Sequence, residues 1–277
     1  MKTLATYVLG TLAFVAGAVG SWWAGPDPHA PGTGPPGVVA DPGTWPGRLL
    51  GYDPRGDGQV VLSFGDLGAA RHVAVVVPGT GWTAARLRDA AATPVAGARD
   101  LVAEANRLDP ATPTTAVLWF GYDAPESIDR EVMRSTRAVA GARALTRFLA
   151  GLPAGTRVSL VCHSYGAVVC GRAVTGGAHV DDLVAVAAPG LDVGSAAGLR
   201  TRVWAARTAD DPIRYTPFVR LAGLGHDADP TSHGFGARVL RTGTAHGHGG
   251  YFRPGTESLT NLARITLGRT GEVTVRG

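Results

Sequence analysis

Lysine is all but absent from this chain: Lys2 is the sole one in 277 residues, and every other basic side chain is arginine. Charge as a whole is scarce. Charged residues make up 17% of the sequence, the net charge is +4, and no run of five like charges occurs. A nucleic-acid surface needs clustered basic residues, so no nucleic-acid partner is expected. Cysteine is limited to Cys162 and Cys170. We expect two small buried hydrophobes rather than a disulfide, because a strand and its following helix should turn the two Cβ atoms apart. No third ligand of suitable spacing accompanies the His246/His248 pair, so neither a metal nor an organic cofactor is expected. What the chain does have is 45% hydrophobic residues, 40 glycines and 19 prolines. That is enough for one sizeable core bounded by many tight turns.

The N-terminus reads separately from the rest. Residues 1–24 hold one lysine and then an apolar stretch ending near Trp22 and Trp23. This suits a secretory signal cleaved after Gly20, or an uncleaved membrane anchor with the tryptophans at the interface. Both send the chain to the membrane or beyond it. Residues 25–47 are rich in proline and glycine and read as an extended linker. A single catalytic domain is expected over residues 48–277.

Within that domain, strand and helix patterns alternate. Strands are expected over residues 59–64, 71–77, 114–120, 157–162, 183–187, 202–206 and 238–242. Helices are expected up to about residue 108 and over 128–149, 165–174 and 257–267. The β-branched run at 71–77 suits a strand buried on both faces. The alternation implies a mostly parallel central sheet with helices on both faces. A site should then lie beyond the carboxyl ends of the strands.

Chemistry enters at Val161-Cys-His-Ser-Tyr-Gly-Ala-Val168, at a strand-to-helix junction. Small residues stand two positions either side of Ser164, as a sharp turn presenting a nucleophile requires. The first of these is Cys162 rather than the usual glycine. A carboxylate and then a histidine base should follow at later strand ends. After residues 202–206 come Asp210 and Asp211; Asp211 is preferred because Pro212 fixes the chain beyond it. After residues 238–242 come His246 and His248. His163, next to the serine, should point away and pack. The backbone N–H of Tyr165 and one from the loop Pro78-Gly-Thr-Gly81, with Thr80 favoured over Gly79 and Gly81, are candidates for an oxyanion hole.

These pieces together resemble a family of α/β-hydrolases of unassigned function, common in actinobacteria. The marks are Tyr52-Asp-Pro-x-Gly-Asp-Gly58, Val76-Val-Pro-Gly-Thr-Gly81, Trp119-Phe-Gly-Tyr-Asp-Ala-Pro125, His163-Ser-Tyr-Gly166, Asp211-Pro-Ile213, Phe235-Gly-Ala-Arg238 and His248-x-x-Tyr-Phe252. The resemblance covers the chain from about Arg48 onward. It implies an α/β-hydrolase fold and a triad of Ser164, Asp211 and His248, and it supplies no substrate.

The expected activity is cleavage of an ester or related acyl bond through an acyl-enzyme. An acyltransferase on the same triad and a non-catalytic tethered binding module are the alternatives. Only about 14 residues separate positions 187 and 202, so no large cap is expected there. Residues 121–132 and 213–237 should wall the site instead, with Trp82, Tyr122, Phe218 and Leu221 as candidate lining. The partner is expected to be a small-molecule or lipid-like acyl substrate.

Overall fold

Five consecutive buried residues, Val73 to Val77, can satisfy their backbone only inside a sheet covered on both faces. A computed structural model describes residues 43–127 and 132–276 and places this run in the middle of such a sheet. The expected N-terminal signal or anchor, and all but the end of the expected linker, lie outside the described residues. Among the described residues no helix is long and apolar enough to cross a membrane.

Eight strands form one sheet: β1 Arg48–Asp53, β2 Gln59–Phe64, β3 His72–Val77, β4 Thr114–Phe120, β5 Arg157–His163, β6 Asp182–Val186, β7 Arg202–Ala206 and β8 Arg238–Val239. Their order is β1-β2-β4-β3-β5-β6-β7-β8. β2 runs antiparallel to β1 and to β4, and every pairing from β4 through β8 is parallel. β1 was not anticipated as a strand; it forms as a hairpin partner of β2. The last strand is shorter than expected, because Leu240 bridges Val275 near the C-terminus.

Among the described residues four α-helices cover the sheet: α1 Thr93–Leu108, α2 Thr136–Ala150, α3 Gly166–Thr175 and α4 Glu257–Thr266. They pack in two pairs, α1 with α4 and α2 with α3. β5 shows that the pairs lie on opposite faces. Ser159 hydrogen-bonds to the Ile265 carbonyl on α4, whereas Cys162, of opposite parity, joins Cys170 on α3. The connection from β6 to β7 holds only a short 3₁₀ turn, Ala196–Leu199, so no cap is inserted there.

α2 begins eight residues later than the periodicity suggests, at Thr136 rather than Ile128; residues 128–131 lie outside the described part. The backbone before Thr136 is engaged elsewhere. The carbonyls of Val132, Met133 and Arg134 accept from His226 Nε2, Gly225 N–H and the Tyr165 hydroxyl in turn. Carbonyls held by tertiary donors leave no ladder for a helix to start on.

One buried charge pins the far end of the sheet. Asp182, wholly buried at the start of β6, accepts from Trp204 Nε1 at 2.9 Å and Arg202 Nε at 2.8 Å, and also from Arg157. Asp182→Ala would orphan a buried indole N–H and release two arginines that can still reach water. A loss of about 2–3 kcal/mol is expected, read as a lower denaturant midpoint with an unchanged m-value.

Candidate active site

Ser164 ends up between β5 and α3 with φ +54°, a left-handed conformation that costs a non-glycine residue roughly 1–3 kcal/mol. The surroundings enforce it. The Ser164 N–H donates to the Val186 carbonyl at 3.0 Å, and its own carbonyl accepts from the Ala167 N–H at 2.9 Å. A Cβ on Gly166 would sit 2.5 Å from the Val77 carbonyl oxygen, so only glycine lets α3 start so close to β3. A Cβ on Gly79 would meet Ser164 Cβ at 2.8 Å and Tyr165 N at 2.9 Å. The loop after β3 therefore lies directly against the serine turn.

Cys162 and Cys170 form a disulfide with a Cα–Cα distance of 6.5 Å, which corrects the expectation of two free thiols. The turn at Ser164 is so sharp that α3 doubles back along β5. The second turn of the helix then lies over the end of the strand, and the two side chains meet instead of diverging. Cys162 thus ties the serine turn to its own helix. The closed loop is short. Loop-closure entropy gives about 2.5 kcal/mol, which for a domain of this size is roughly 5–10 °C in Tm. Thermal melts with and without a reductant, and of the Cys162→Ala/Cys170→Ala double variant, should both show this drop.

Two further strand ends, those of β7 and β8, deliver the polar groups to Ser164. The Ser164 hydroxyl lies 2.9 Å from His248 Nε2. His248 Nδ1 lies 2.9 Å from Asp211 Oδ1. Asp211 follows β7 as the N-cap of the 3₁₀ turn Pro212–Tyr215 and accepts the Ile213 N–H at 2.9 Å. It is fully buried. Burial by itself would raise its pKa. Hydrogen bonds from His248, Tyr251 and Ile213 outweigh that and hold it below the ordinary carboxylate range.

The neighbouring alternatives sit elsewhere. Asp210 and His246 face each other at 3.8 Å with their side chains 55% and 72% exposed. Asp210 accepts the Gly247 N–H at 2.8 Å and so shapes the loop that carries His248. In the loop after β3, the Gly81 N–H is taken by the Pro125 carbonyl at 2.9 Å. Thr80 N–H has no acceptor among the described residues, and the Thr80 hydroxyl is buried without a partner there. Tyr165, fully buried, starts α3 beside this loop.

Two residues matter more than the sequence suggested. Tyr251 is fully buried, donates to Asp211 Oδ2 at 2.5 Å and accepts the Thr208 N–H at 3.0 Å. Burial and the adjacent carboxylate push its phenol well up, so it stays a donor. Its spacing three residues after His248 was visible, but its hydrogen bond was not. His163 is more than a packing residue. Its Nε2–H donates to the His248 carbonyl at 2.6 Å, with the two rings 4.8 Å apart. Burial, seconded by the facing His248 ring, lowers its pKa to about 4. A histidine depressed in the folded state binds fewer protons than in the unfolded chain between about pH 4 and 6.5. Stability should therefore fall as pH drops through that window. In His163→Gln, this part of the slope in pH-dependent denaturation curves should disappear.

Of the expected lining residues, Tyr122 is a core residue. Its ring stacks on Trp119 and its hydroxyl donates to the Pro78 carbonyl at 2.7 Å, anchoring the loop rather than facing substrate. Leu221 is 76% exposed. Trp82 and Phe218 are half-buried beneath Arg86 and Arg207 respectively.

A family model described as alpha/beta hydrolase matches residues 53–221, well over half the chain. An uncharacterized protein of Mycobacterium tuberculosis is 31% identical over 266 residues, covering 80% of this chain and 39% of that protein. The chain thus spans well under half the length of that relative. Among solved structures, a predicted CIB-like hydrolase from Thermoplasma acidophilum has a TM-score of 0.45 at 13% identity, covering 79% of this chain and 94% of that one. An a/b serine hydrolase without lid from Xanthomonas campestris has a TM-score of 0.44 at 14% identity, covering 78% and 90%. By its family match, its eight-stranded topology and the serine turn between β5 and α3, the chain belongs to the alpha/beta hydrolase family.

Proposed function

We propose that this hydrolase is a serine esterase that cleaves an acyl ester through a covalent acyl-enzyme. The observation that carries the reading is the continuous hydrogen-bonded run from Ser164 Oγ through His248 to Asp211. Ser164 Oγ attacks the acyl carbonyl carbon and its proton passes to His248 Nε2. The carbonyl oxygen becomes an oxyanion, held by the N–H groups of Thr80 and Tyr165 at the start of α3. The imidazolium returns its proton to the departing alkoxide, and the alcohol leaves. Water then repeats the sequence on the acyl-Ser164 ester and releases the acid. Asp211 keeps His248 in the tautomer with Nδ1–H and stabilises its cation, while Tyr251 fixes Asp211.

A binding module would gain nothing from holding Ser164 at φ +54°, and this strain favours catalysis. The short β6–β7 connection suits a substrate that reaches an uncapped site, a soluble ester or a lipid-like acyl group. The apolar N-terminal segment and the Cys162–Cys170 disulfide both suit a domain outside the cytoplasm, secreted or membrane-anchored.

A fluorophosphonate probe should label the protein, with the mass shift on the peptide carrying Ser164. A series of nitrophenyl esters should then show turnover with a preference for short over long acyl chains. Labelling elsewhere, or none, would sink the assignment. Adding an acceptor alcohol separates hydrolysis from acyl transfer by the product formed.

A further inference from the structure

A cavity of about 580 Å³ lies at the first turn of α2, away from the hydrogen-bonded run at Ser164. Its wall includes Arg134 and Ser135 just before α2, Thr136 at its start, Arg172 from α3, and Arg220 and Leu224 from the loop after β7. Two of the three guanidiniums are fixed from behind. Buried Asp192 takes Arg172 Nε at 2.7 Å, Arg220 Nη1 at 3.1 Å and His226 Nδ1 at 2.9 Å. Arg220 also reaches Asp227 at 3.4 Å and donates to Ser135 Oγ at 3.1 Å. Arg134 is exposed and makes no ion pair among the described residues. Three guanidiniums thus line the cavity against two nearby carboxylates, and neither Asp192 nor Asp227 is part of its lining. The helix is 15 residues long and no side chain caps its first turn, so its positive end adds to the field.

We propose that this cavity is an anion-binding site for a phosphate group. Guanidiniums line it from three segments, the residues just before α2, α3 and the loop after β7, which suits a tetrahedral oxyanion better than a planar one, and guanidinium forks bind such oxygens in pairs. Leu224 in the wall is 40% exposed, and Val219 and Leu221, 61% and 76% exposed, stand on the same loop and offer apolar surface beside the cavity's own chain segment. The phosphate can therefore belong to a soluble ester or to a lipid headgroup. The site is distinct from the ester chemistry and does not depend on it. The Tyr165 hydroxyl, on the residue after Ser164, donates to the Arg134 carbonyl at 2.7 Å and joins the two regions.

The test uses inorganic phosphate in calorimetry, and co-sedimentation with phosphatidylglycerol or phosphatidylcholine vesicles. Arg134→Glu removes the unpaired guanidinium without touching Asp192. Arg143→Glu, on an exposed part of α2, makes the same change in net charge and is the control. Phosphate binding, or retention on phosphatidylglycerol but not phosphatidylcholine vesicles, should weaken at least about tenfold in Arg134→Glu and stay within about twofold in Arg143→Glu. Phosphate binding identifies a soluble ligand, and vesicle binding alone identifies the headgroup. Binding in neither assay, or equal losses in both variants, overturns the proposal.

Discussion

Ser164→Ala is expected to lower kcat for a nitrophenyl ester by roughly 10⁵- to 10⁶-fold and to abolish fluorophosphonate labelling. The hydroxyl is the group His248 Nε2 meets at 2.9 Å, and no other hydroxyl among the described residues stands in that position. The fold should hardly notice the change. The backbone bonds from Ser164 N–H to Val186 and from Ala167 N–H to the Ser164 carbonyl do not involve the side chain. Alanine at φ +54° carries much the same strain as serine, so Tm should stay within a few degrees of wild type. Loss of activity with an unchanged melt separates a missing nucleophile from a damaged fold. Retained turnover in the alanine variant would refute the role given to Ser164.

Asp211→Asn should cost about 10⁴-fold in kcat with little change in the shape of the site. Asp211 Oδ1 accepts from both His248 Nδ1 and the Ile213 N–H, and Oδ2 accepts from Tyr251. An amide offers one oxygen and one NH₂ in place of two acceptors. The Tyr251 hydroxyl and the Ile213 N–H both demand an acceptor, so the NH₂ group conflicts with one partner whichever way it turns. Turned toward His248, it demands an acceptor at Nδ1. The imidazole then carries its proton on Nε2 and cannot take one from Ser164. Asp210→Asn is the matched control, since Asp210 is exposed and faces His246 rather than His248; near wild-type kcat is expected there. The pH response adds a second reading. The depressed Asp211 contributes stability above the ordinary carboxylate pKa, and this is lost as pH falls through its lower folded value. Asp211→Asn should therefore flatten the acid limb of the stability curve. If Asp210→Asn were the inactive one, the assignment of the acid would be reversed.

Much of the fold was readable because its signals are local. The run at β3, the strand-to-helix junction at Ser164 and the order of acid before histidine are all patterns in a few consecutive residues. So were the proline-fixed turn at Asp211 and the spacing His248-x-x-Tyr251. These set the fold class and reduced the site to a handful of candidates. The late start of α2 was not readable, since it depends on which distant donors claim the carbonyls of Val132, Met133 and Arg134.

The sequence by itself determined the fold class and the residue types at the strand ends, because periodicity and turn chemistry act over a few residues at a time. Pro212 already favoured Asp211 over Asp210, and the resemblance favoured His248 over His246, but local pattern could not show which of these side chains would be buried and paired. Tertiary structure set them apart in placement, burying Asp211 against Tyr251 and beside His248 while Asp210 and His246 stay exposed. It also joined Cys162 to Cys170, because a turn sharp enough to expose Ser164 folds α3 back over the end of β5. A chain reads locally, whereas burial and side-chain pairing are set by segments that meet only after folding.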